Sequence, residues 1–168
     1  MATTTINYGS NTALTITLAS LATSTSWLAG RESTSIDNTS NKYIDALLSG
    51  KITVGTTPTA STQIMLYVWG ADTDLATTAM DTLVGADGAR TLTNTGVRDC
   101  LRVGGIINVG AATSNITYYF LPTSVAQLFG GSMPKYWGCF VAHNTAVNLN
   151  STAGNHAIEY VGIKLDTA

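Results

Sequence analysis

The sequence predicts an all-β protein, a two-sheet β-sandwich of about eight strands with jelly-roll connectivity and little helix. Three observations carry this expectation. Residues 63–69, read Gln-Ile-Met-Leu-Tyr-Val-Trp, fill both parities of a strand with apolar side chains. Ile64, Leu66 and Val68 then share one face and Met65, Tyr67 and Trp69 the other, so the strand must be central and covered on both sides. Short apolar or alternating runs recur along the chain, separated by Asn, Asp, Gly and Ser turn signals. Finally, 168 residues with 45% hydrophobic content suit one domain with an ordinary core.

Taken in order, residues 1–11 are polar and Thr-rich, and read as a flexible arm ahead of a single sandwich domain at 12–168. Residues 12–18 alternate, with Leu14, Ile16 and Leu18 on one face, as in a half-buried strand. Residues 31–36 alternate with mostly polar types and suit an edge or solvent-facing strand. The Asp37-Asn38-Thr39-Ser40-Asn41 run is a turn, because Asp and Asn side chains bond their own backbone. Residues 42–54 mix helical and strand spacings; a long strand kinked near Ser49-Gly50 is the preferred reading.

Residues 72–94 form a long irregular stretch after the central strand, with one helical turn expected over 79–84. Loops of this length in compact domains are often functional. Residues 97–109 are expected as a strand interrupted by Gly104-Gly105, and 115–121 as a strand with the aromatic run Tyr118-Tyr119-Phe120. A short helix over 125–129 should end at Gly130-Gly131. Residues 135–142 are a second strand apolar on both parities, and 156–165 an alternating strand that closes the sheet.

Composition narrows the function. Charged residues are only 11%, well under the usual quarter, and the formal net charge is −2. A surface so poor in charge has little electrostatic protection against association, so self-association is expected. The eight Lys and Arg are scattered singly, which disfavours binding to nucleic acid or to an anionic membrane. No apolar run approaches the length of a membrane span. The N-terminal residues lack a signal-peptide pattern, and the protein is expected to be made in a cytoplasm.

Catalytic and metal signatures are weak. Cys100 and Cys139 each fall in an apolar strand candidate and are expected as buried free thiols, with a disulfide as the alternative. His143 and His156 fit strand ends better than a catalytic triad, since no Gly-x-Ser-x-Gly elbow accompanies them. Asp72-Thr73-Asp74 resembles the opening of a calcium loop but lacks its later Gly and Glu, so an acidic loop is the better reading. Trp27, Trp69, Tyr118, Tyr119 and Trp137 form either a carbohydrate platform or, on apolar strands, core packing. No enzyme, cofactor or metal is expected.

Several segments together carry a resemblance: Trp27-Leu28-Ala29-Gly30-Arg31-Glu32-Ser33, Ile36-Asp37-Asn38, Tyr43-Ile44-Asp45 and Gly50-Lys51-Ile52-Thr53-Val54. Tyr67-Val68 with Asp72, then Pro134-Lys135-Tyr136-Trp137, Asn144-Thr145 and Tyr160-Val161-Gly162 continue it. This layout resembles the jelly-roll decoration (cement) proteins on the capsids of tailed bacteriophages. The resemblance implies a non-enzymatic virion protein on the capsid exterior, a homotrimer whose partner is the major capsid protein. Expected contacts are Thr3, Thr4, Thr5, Ile6, Asn7 and Tyr8 of the arm, with Asp72, Asp74 and Arg90 of the long loop. The competing expectation is a tail or head-fibre sandwich that binds a receptor carbohydrate.

Overall fold

The computed structural model describes residues 3–167, and the expected arm's first two residues lie outside that range. Ten strands, three short α-helices and one 3-10 turn follow one another in the described residues: β1 (Thr4–Ala13), β2 (Ala29–Glu32), β3 (Ile36–Asp37), α1 (Asn38–Asn41), β4 (Asp45–Thr53), β5 (Thr62–Ala71), β6 (Gly88–Thr91), α2 (Thr95–Cys100), β7 (Arg102–Val109), β8 (Thr117–Ser124), α3 (Val125–Leu128), β9 (Tyr136–His143), the 3-10 turn (Ala153–Asn155) and β10 (Ala157–Thr167).

The pairing is nested. β1 pairs with β10, β2 with β9, β4 with β8 and β5 with β7, all antiparallel. These are the rungs of one long hairpin, and rolling it up sets β10 beside β4 and β9 beside β5. One sheet then runs β1-β10-β4-β8, and the other contains β2-β9-β5-β7. That is the jelly-roll order of an eight-stranded double Greek key. β6 extends the second sheet beyond β2, and β3 adds a short pairing to β9, which makes six strands.

Several expected elements appear with their expected causes. β5 lies inside the larger sheet, between β9 and the edge strand β7, and is covered on both faces as expected. β4 carries its irregularity between Leu48 and Gly50, where a Cβ on Gly50 would stand 2.5 Å from the Ala157 carbonyl oxygen. α3 is capped by Ser124, whose hydroxyl accepts from the Gln127 N–H, and stops at Gly130 and Gly131, both with positive φ. α1 is one turn whose N–H groups at Thr39 and Ser40 donate to the Asp37 carboxylate.

Other expectations are corrected. Residues 4–11 are not a free arm but lie in β1, paired with β10, although every residue of the strand stays exposed. Residues 14–18 form no strand, because their bonds go to scattered partners: Leu14 N–H donates to Ile158 O and Thr15 O accepts from Thr34 N–H. Residues 31–32 are no edge strand: β2 lies between β6 and β9, with Glu32 fully buried. Residues 79–84 form no helical turn; Met80 and Leu83 bridge across a tight turn with Asp81 at φ 57°. Residues 97–100 are helical because Asn94 caps the Val97 N–H, so Cys100 is exposed while Cys139 is a buried free thiol.

Two apolar cores result. One lies between the sheets and includes Leu48, Ile52, Ile64, Leu66, Val68, Trp137 and Ile158. The second lies on the far side of the six-stranded sheet, where Tyr67, Trp69 and Phe140 pack under Leu75, Leu83, Leu92 and Leu101. The two parities of β5 feed one core each.

Candidate interaction surface

Among the described residues, none covers the outer face of the four-stranded sheet in this way. Cross-strand register defines it. Ile6 stands opposite Leu165 and Tyr8 opposite Ile163, so these four side chains share a face. Gly162, one residue away, turns the other way, since a Cβ there would strike the Tyr43 ring of the inner core. On β8, Tyr119 and Leu121 flank Phe120, which points into the core. Exposure reaches 62% at both Ile6 and Tyr8, 52% at Leu165, 69% at Tyr119 and 81% at Leu121. Scattered apolar residues on a surface need no explanation, but two exposed apolar groups on one sheet face, Ile6, Tyr8 and Leu165 at one end and Tyr119 and Leu121 at the other, make it a candidate contact surface.

Between the two apolar ends run Leu47, Ser49 and Lys51 of β4, opposite Val161, Glu159 and Ala157 of β10. A shallow groove of about 440 Å³ lies there, lined by Ser49, Lys51, Tyr119, Pro122, Ala157 and Glu159. The face is thus apolar at both flanks with one cation and one carboxylate in its centre. That composition suits a protein surface better than water, and offers no constellation for covalent chemistry.

The nine contact residues expected from the sequence fall into two groups. Thr4, Thr5, Ile6, Asn7 and Tyr8 lie together on β1, with Thr3 just ahead of it, at the edge of the four-stranded sheet. Asp72, Asp74 and Arg90 belong to the other sheet's side and are not brought to that face. Asp74 organises its own turn, accepting from the Ala76 N–H at 3.0 Å. Arg90 is engaged inside the fold: its Nε donates to buried Glu32 at 2.9 Å. The same carboxylate accepts the Val84 and Gly85 N–H groups.

A second ion pair flanks the first. Arg31 Nε donates to Asp87 at 2.6 Å, and Thr17 adds its N–H and hydroxyl. The Arg31 guanidinium beside Asp87, followed by Thr17, outweighs partial burial and holds its carboxyl down at about 2. Both pairs fasten residues 84–90 to β2, so the polar alternation of that strand serves the long loop.

Both histidines stand at strand ends, as expected. His143 closes β9, fully buried, with Nε2 donating to Leu21 O at 3.0 Å and Nδ1 against Thr145 Oγ1 at 2.9 Å. His156 precedes β10, with Nε2 donating to Asn150 O at 2.8 Å and Nδ1 accepting the Thr53 N–H. Burial pushes both imidazoles below their usual value. Among the described residues, no group of three or more His, Cys, Asp or Glu is placed to hold a metal. No helix among them is long and apolar enough to cross a membrane.

Sequence reasoning missed Tyr119, Leu121 and Leu165. Tyr119 is not core, although Trp69 and Trp137 are. The signal was present in part: Tyr119 and Leu121 share one parity and Phe120 has the other, but parity alone does not say which side faces water. No protein-family model matches the chain, and comparison with curated proteins finds no match.

Proposed function

We propose that this chain is a non-enzymatic structural protein of a tailed-bacteriophage virion, a decoration (cement) protein on the outer capsid lattice. Its partner on this reading is the major capsid protein, and it binds as an assembly of several copies. The bare apolar face of the four-stranded sheet is the observation that carries the reading. A rigid sandwich with 11% charged residues loses little on desolvating its surface between subunits, and the sequence resemblance points to the same class. The test is to separate particles from the native source on a density gradient and quantify the chain per major shell subunit. Near-stoichiometric copies are expected; absence from particles overturns the reading.

One groove favours a second reading, a receptor-binding module of a tail or head fibre. Trp27, Met65, Tyr67 and Leu101 line a groove of about 380 Å³ beside Arg98 and Asp99. Trp27 holds φ at 63°, a costly conformation for a bulky residue and one often kept at binding sites. An apolar ring face next to a planar ion pair suits a sugar ring. A few copies per particle, with binding to host glycans lost in Trp27→Ala, would favour this reading over cement.

A further inference from the structure

A sheet edge presents unpaired N–H and C=O groups, a ready template for another strand, and folded proteins blunt such edges. The two sheets have four edges, at β1, β8, β6 and β7. β6 has only four residues and carries Arg90. β7 opens on Arg102 and is broken against β5 by a bulge beside Val103. β8 contains Pro122, which has no N–H to offer. Of these devices β1 has only a bulge. Its ten residues, Thr4–Ala13, include no charge and no proline, and all are exposed. Its bulge falls after Tyr8, so residues 4–8 run in unbroken register with β10.

We propose that a second copy of this chain adds at this edge, β1 against β1, antiparallel about a two-fold axis that passes through Asn7 normal to the sheet. This register sets Ile6 of each copy opposite Tyr8 of the other. Both pairs fall on the outer face, where they continue the Ile163 and Leu165 cluster of β10 into one apolar band across the axis. Asn7 projects from the other face, where its amide already donates to Asp166 at 2.6 Å.

The composition of β1 favours a like copy over a foreign strand. β1 has no charged residue by which to select a partner of opposite sign. Like charges do not oppose the pairing either: among the described residues the nearest, Lys164 and Asp166, lie on β10, one strand inside. Three strand spacings separate the two β10 strands, about 14 Å, which exceeds the Debye length at physiological salt. A two-fold pairing also uses up both free edges and closes the assembly, where an open edge would go on growing.

The result is a continuous eight-stranded sheet across two copies, and a dimer where the resemblance implies a trimer. The inference deepens the assembly reading by naming the copy-to-copy contact. It is tested on purified protein, whereas the capsid reading is tested on particles, so either can fail alone. A one-strand contact sits at the low end of interface sizes, and a dissociation constant of about micromolar is expected.

The experiment is sedimentation velocity of the full chain from low micromolar to hundreds of micromolar, beside the double variant Ile6→Lys/Tyr8→Lys and the control Tyr119→Lys. All three positions are exposed, so the monomer should fold in each; matching thermal transitions at low concentration check this. The native chain and the control should reach twice 17.5 kDa, and the double variant should dimerise at least tenfold more weakly. Hydrogen exchange at residues 4–8 should slow with concentration in the native chain and the control, but not in the double variant. A monomer at the highest concentration, a trimer, or a dimer indifferent to the double variant would overturn the proposal.

Discussion

On the outer side of the six-stranded sheet, Tyr67, Trp69 and Phe140 lie beneath Leu75, Leu83, Leu92 and Leu101, out of water. On the outer side of the four-stranded sheet, Tyr119 and Leu121 are among the most exposed apolar residues of the protein. Both sheets place large apolar side chains on their outer parity, so strand composition does not separate them. What separates them is the long insert between β5 and β7, which buries the outer residues of β5 and β9 while Val103 and Ile106 of edge strand β7 stay exposed. It folds back as a third layer, held by Glu32–Arg90 and Arg31–Asp87. The four-stranded sheet has no insert of that length to spend on itself. The proposed assembly rests on that difference, since an outer apolar face left bare by its own chain is open to another chain.

The third layer should loosen most when Glu32 is lost. Glu32→Ala leaves the Val84 and Gly85 N–H groups and the Arg90 guanidinium without their acceptor. The expected loss is about 3 kcal/mol of unfolding free energy in urea. A loss under about 1 kcal/mol would mean that apolar packing alone holds the third layer. Leu83→Ala and Leu121→Ala sharpen the contrast. Leu83 is wholly buried, so its truncation should cost about 3 kcal/mol, while the exposed Leu121 should cost under about 0.5 kcal/mol. Equal losses would show that the two faces are not different in kind.

Asp87 adds a pH dependence. Its folded value, about 2, lies below the ordinary 3.8. A depressed carboxylate stabilises the fold fully above its unfolded value, and that stabilisation is lost as pH falls from near 4 towards 2. Its carboxylate is partly solvated, so the pH-linked part should be only about 1 kcal/mol. Stability measured from pH 5 to pH 2 should fall less steeply in Asp87→Asn; coincident slopes would remove the Arg31 pair from the account. Smallest in stability is Tyr119→Lys, expected within about 0.5 kcal/mol of the native chain, yet it should weaken particle binding at least tenfold. Undiminished binding would take the four-stranded face out of the contact.

The kink in β4 was legible at Ser49-Gly50 because a glycine inside an apolar strand has few other uses. α3 was legible for a similar local reason, a Ser cap and two terminal glycines. Residues 31–36 misled because polar alternation usually means water, whereas Glu32 meets a guanidinium and two amides brought from 52 to 58 residues away. The β1 segment misled in the opposite sense. Its Thr and Asn give no apolar alternation, and only β10, nearly the whole chain away, completes its hydrogen bonds. Of the contact residues named from sequence, those on β1 lie at an open edge, while Asp74 and Arg90 are engaged within the fold.

Local chemistry determined the elements with strong signals of their own: β5 and β9, apolar on both parities, the turns at Asp37 and Gly130, and a sandwich able to bury them. Tertiary structure alone decided which outer face is covered, which polar residues are buried and which edge is left open. The reason is physical. A strand's two parities are written in its own residues, but the layer that meets each parity comes from residues distant in sequence, and only the fold brings them together.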